Sequence, residues 1–148
     1  MKTELTKEER LLILLTLSTL KEGEEEEVRQ LISQDPSWEA LLTLAEENAT
    51  APLVQHSLCK LGLFKNLPQA IRHRFEDRSD RIQKANEARI AEAKNLFAKF
   101  EEKKVPVVIL KGILFAETIY QNPHYKKMND VDILIRQEDL ETVYDIYE

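Results

Sequence analysis

The stretch "VPVVILKGILFAETIYQNPHYKKMNDVDILI", residues 105–135, breaks the character of a chain that up to that point runs as helix after helix. "VPVVIL" is a compact β-branched run of strand length, and it follows "FEEKK", a charged last turn suited to the end of a helix. The run stops at Lys111 and Gly112. "ILFAETIY" has the pattern of a short helix, "QNPHYKKMN" that of a loop, "DVDILI" that of a second strand, and "QEDLETVYDIYE" that of a closing helix. The fold class that follows is α+β, with a helical bundle over residues 1–104 and the start of a mixed β-sheet with helices over residues 105–148.

Working back from residue 105, the front is well punctuated. Thr6 followed by Glu9 has capping-box spacing and opens a helix expected over Lys7–Lys21, with Gly23 as its stop. "EEEE" at 24–27 opens a second helix, because carboxylates favour the positive end of the helix dipole. Asp35 as cap and Pro36 at the first helical position are expected to begin a third, whose apolar face includes Trp38, Leu41, Leu42, Leu44 and Ala45. Thr50 marks a fourth helix that ends near Gly62. From Leu67 to Lys104 the pattern is charged and helical, either one long helix or two with a break near "DRSDR" at 77–81.

Composition limits the classes of function. The formal net charge of -6 argues against a broadly basic nucleic-acid surface. Arg72, Arg74, Arg78 and Arg81 are interleaved with Glu76, Asp77 and Asp80, the pattern of a solvated helix face. Cys59 is the one cysteine, which leaves no intramolecular bridge and fits a reduced, cytoplasmic setting. "LLILLTL" at 11–17 is too short to span a bilayer, and the acidic segment before it is unlike a signal peptide.

The chemistry-bearing residues lie in the tail. On a strand, Asp130 and Asp132 point to one side and Val131 to the other, so two carboxylates share a face. Their mutual repulsion is relieved by cations, and a pair of magnesium ions about 3.5–4 Å apart would suit them. By itself Asp-x-Asp is more often a solvated strand end. Lys111-Gly112 adds a turn in which the backbone can approach a ligand and first-turn amides can meet phosphate. Alone, that turn is more often just a tight connection. Together, on successive strands, the two features describe one site for a triphosphate and its metals.

With these residues in view, the segment resembles the signature of the uncharacterised nucleotidyltransferase family, within the DNA polymerase beta-like nucleotidyltransferase superfamily. The carriers are a strand ending in Leu-Lys-Gly, a short helix ending in Tyr120, a loop with a basic residue, and Asp-hydrophobic-Asp on a strand. The helical front, including "ENATAPLVQHSL", is similar to the family's leader with less specificity. The resemblance implies that Asp130 and Asp132 bind magnesium, and that Lys111, Gly112 and Ile113 cradle nucleotide phosphates. It places Lys126 where an arginine commonly stands. The reaction implied is transfer of a nucleoside monophosphate from a nucleoside triphosphate to an unidentified acceptor, with two magnesium ions in the complete enzyme.

The chain departs from the superfamily pattern in three ways. Ile113 stands where a second glycine or serine is usual, Lys126 cannot form an arginine's bidentate fork, and no third carboxylate follows on a later strand. The expectation is therefore the N-terminal part of a longer enzyme, inactive alone and self-associating through an open sheet edge. The alternative is a non-catalytic nucleotide-binding or helical interaction module with an incomplete site. His56, His73 and His124 lack metal-ligand spacing, and Tyr120 and Tyr125 are expected to pack rather than to stack on a base.

Overall fold

The computed structural model describes residues 4–17 and 19–147. Four helices form the front: α1 (Lys7–Leu15), α2 (Glu22–Ser33), α3 (Trp38–Glu47) and α4 (Ala51–Lys60). A 34-residue helix, α5 (Gln69–Glu102), follows a single 3-10 turn. The tail is β1 (Val107–Leu110), α6 (Gly112–Thr118), β2 (Asp132–Ile135) and α7 (Leu140–Tyr147). The α+β class holds, and the sheet is one antiparallel pair in which Val107 faces Ile135 and Leu110 faces Asp132. Among the described residues no helix is long and apolar enough to cross a membrane.

Local chemistry explains where the helices begin and end. At α1 the Thr6 hydroxyl accepts the Glu9 amide hydrogen at 3.1 Å, and Glu9 takes the Thr6 amide at 2.7 Å, so the expected capping box is present. The helix stops at Leu15, not Lys21, because the Thr16 hydroxyl donates back to the Leu12 carbonyl at 2.9 Å and competes with continuation. The expected continuation crosses residue 18, which lies outside the described residues. Gly23 is not a stop. It sits in the first turn of α2, where Glu24 reaches back to the Lys21 amide at 2.8 Å and outweighs the glycine. Asp35 likewise closes α2 in the left-handed region, at φ 50°, and Ser37 caps α3 through the Ala40 amide at 3.2 Å.

No break interrupts α5. It contains neither glycine nor proline, and Arg81 bridges Asp77 at 3.0 Å along the segment where a break was open. Neighbouring helices hold it too: Arg78 pairs with Glu46 at 3.0 Å, and Arg74 pairs with Glu39. At about 1.5 Å per residue it is about 51 Å long, enough to serve two cores. Its first turns place Ile71 and Phe75 in the front core with Leu11, Leu15, Leu41 and Leu58. Its last turns place Leu96, Phe97 and Phe100 against Val105, Val107, Ile133, Ile135 and Val143. After Lys104, at φ 57°, Pro106 prevents further helix and the chain turns into β1.

Candidate functional site

The antiparallel register builds the site. Leu110 pairs with Asp132, so the next residue, Lys111, emerges beside that carboxylate, and its ammonium lies 3.0 Å from Asp132 Oδ2. The turn into α6 takes its positive φ at Lys111 (43°, with ψ -117°) rather than at Gly112. Gly112 has ordinary space around it. A Cβ placed there would stand 3.5 Å from Met128 Cγ and 3.7 Å from the Asp130 carbonyl.

A cavity of about 240 Å³ opens at this turn, with Lys111, Gly112, Lys126, Asp130 and Asp132 in its wall and Tyr120 at one side. Asp130 precedes β2 rather than lying in it, yet its side of the chain still faces the cavity with Asp132. Val131 borders a different hollow, between α5 and α7, which Asp130 also touches. Of the six residues singled out in the sequence, five therefore line one cavity. Ile113 does not, and it borders a hollow against Ile90 and Lys94 of α5.

The field in the cavity is set by the lysine and the carboxylates. The hydrogen bond and charge of Asp132, with a smaller contribution from Asp130, hold the Lys111 pKa above its ordinary value, against a small opposing effect of burial. Asp132 is one-third exposed and Asp130 is exposed, so both remain open to a ligand. Among the described residues no group of three His, Cys, Asp or Glu side chains could hold a metal ion. Two carboxylates still fit magnesium, which commonly takes one or two from the protein and completes its shell with phosphate oxygens and water.

One important residue had escaped the sequence reading. Asn86, on the middle of α5, is fully buried. Its amide nitrogen donates to the Pro123 carbonyl at 2.6 Å and the Lys126 carbonyl at 2.9 Å, and its oxygen accepts the Met128 amide hydrogen at 3.0 Å. Arg89, one turn on, donates to the Asn129 carbonyl at 3.3 Å. The loop that carries Lys126 is thereby fastened to α5, and Met128 is set against Gly112. The signal was present in the spacing. Asn86 falls four residues after Ile82 and seven before Ala93 on a buried seam, and a polar residue there needs partners.

The aromatic and histidine residues lie beside the cavity rather than at its centre. Tyr125 packs on His56 of α4 with ring centroids 4.4 Å apart, and its hydroxyl is 2.9 Å from His56 Nδ1. Burial and the nearby Lys60 charge hold the His56 pKa below its ordinary value. His124 lies 3.8 Å from Glu87 and outside the cavity wall. Cys59 is exposed, with its pKa raised by partial burial and by Glu76.

An α+β protein that gathers three lysines (Lys111, Lys126 and Lys127), a strand-to-helix turn and two aspartates around one cavity has the chemistry to hold a phosphorylated ligand. Comparison with known families narrows the class: residues 34–148 match the family described as uncharacterised nucleotidyltransferase, and the chain belongs to that family. Membership gives it a general nucleotidyltransferase-like role. The match begins just after α2 and so takes in α3, α4 and α5 as well as the tail. No curated protein and no solved structure matches the chain.

Proposed function

We propose that this chain carries the nucleotide-binding half of a magnesium-dependent transfer of a nucleoside monophosphate from a nucleoside triphosphate to an acceptor. The observation that carries the proposal is the meeting of Lys111, Gly112, Lys126, Asp130 and Asp132 around one cavity inside the family-matched region. Lys111 and Lys126 draw the triphosphate in by charge, and the turn at Lys111 and Gly112 lets it approach the backbone. Asp130 and Asp132 would hold magnesium, as one or both of the ions of a two-metal site. When bound, the metal would supply positive charge that neutralises the transferring phosphoryl group. The chain's own contribution is to fix the triphosphate so that an acceptor oxygen can approach the α-phosphorus with pyrophosphate leaving opposite it.

Calorimetric titration with a non-hydrolysable nucleoside triphosphate, with and without magnesium, tests the site. Magnesium should tighten binding, and Asp130→Asn together with Asp132→Asn should abolish that gain, a loss of at least about tenfold. Magnesium-dependent binding that survives both substitutions would remove these aspartates from the reading. The lack of a three-carboxylate group among the described residues favours a second reading, a nucleotide binder without turnover. Pyrophosphate release on supplying candidate acceptors separates the two.

A further inference from the structure

Lys111 and Asp132 meet at 3.0 Å inside the cavity where a cation is to sit, with the Lys111 side chain 70% exposed. The pair is placed by the sheet register and by the positive-φ turn, so the lysine stem starts next to the carboxylate it neutralises. Its ammonium is a point charge on a flexible stem, which can leave one partner for another without moving the backbone. We propose that Lys111 is an exchangeable counter-ion. With the cavity empty it occupies the cation position at Asp132, and when a divalent ion takes the aspartates it swings to the phosphates of the incoming nucleotide.

This inference rests on the functional reading above and adds to it an opposition between metal and nucleotide. A lysine that only bound phosphate would help the nucleotide and leave free metal alone. A lysine that only stabilised the fold would affect neither in a directed way. An exchanging lysine competes with the bare ion and assists the ion–nucleotide complex, so its removal moves the two affinities in opposite directions. Asp130 is exposed on the same cavity wall and offers the arriving ion its first foothold.

The test uses manganese in place of magnesium, with free ion read by electron paramagnetic resonance, on the full 148-residue chain. Lys111→Met keeps the stem and removes the charge. It should bind free manganese about two- to fivefold tighter than the parent, the scale of one exposed ion pair. The same variant should bind the manganese complex of an α,β-methylene nucleoside triphosphate about tenfold more weakly, for want of a charge-assisted phosphate contact. Lys111→Arg retains the charge and should bind free manganese no more tightly than the parent, which guards against a folding artefact of the methionine variant. Manganese affinity unchanged in Lys111→Met, or both affinities moving together, overturns the exchange while leaving the site itself intact, provided that Asp132→Asn still loses the ion. If parent and variants all fail to bind ion and nucleotide, the functional reading falls and the exchange falls with it.

Discussion

Asn86 offers a severe test of how the site is held. Replacing it with alanine strips partners from two carbonyls and one amide hydrogen at once. These losses are unequal. Pro123 is half-buried and Lys126 exposed, so water can reach their carbonyls, and each lost bond costs about 0.5–1.5 kcal/mol. Met128 is only 5% exposed, and its amide hydrogen is left without a replacement acceptor, which costs about 1–3 kcal/mol. The expected loss is about 2–6 kcal/mol, read as a lower urea midpoint at constant slope. Asn86→Asp should do no better. It retains an acceptor for Met128 but sets oxygen against two carbonyls. Hydrogen exchange provides the local readout: the Met128 amide should lose protection in Asn86→Ala. A loss below about 1 kcal/mol, with that amide still protected, would refute the assignment of Asn86 as the loop's anchor.

Two further outcomes follow from the site and from the contact beside it. Gly112→Ala should be neutral or stabilising by up to about 1 kcal/mol, since the new methyl meets only ordinary contacts at 3.5 and 3.7 Å, yet should weaken nucleotide binding by narrowing the approach; undiminished binding in titration would show that the backbone is not approached there. Because the folded protein holds the His56 pKa below 6.5, the unfolded chain binds that proton more readily. The His56 contribution should be intact above pH 6.5, decline as pH falls through 6.5, and level off below the folded pKa; urea midpoints of the parent and His56→Gln that fall in parallel over this range would assign the pH dependence elsewhere.

What could be read in advance was what depends on neighbours in sequence. The Thr6–Glu9 box, the Thr50 start and the strand-to-helix turn after Leu110 each involve residues within one turn, and the structure has all three. The misplaced boundaries came from competition among short-range preferences. Gly23 was weighed as a helix stop without the pull of Glu24 on the Lys21 amide, and Asp35 as a cap without its tolerance of the left-handed conformation. The continuity of α5 is partly legible, from its lack of glycine and proline, but the partners of Arg74 and Arg78 lie more than thirty residues away. For the same reason Asn86 stayed hidden, since its bonds span 37 to 42 residues. The Lys111–Asp132 pair depends on a register that strand patterns alone do not fix.

The continuity of α5 also decides where this molecule can move. A rod that is buried in one core at its start and another at its end behaves as a chassis, with no pivot of glycine or proline along it. Any closure of the cavity would then fall to lighter parts, namely α6 and the segment leading to β2. That segment is moored to the chassis at Asn86 and Arg89, side chains one turn apart. The front core contains no residue of that segment, so the two ends of the protein can be tuned separately.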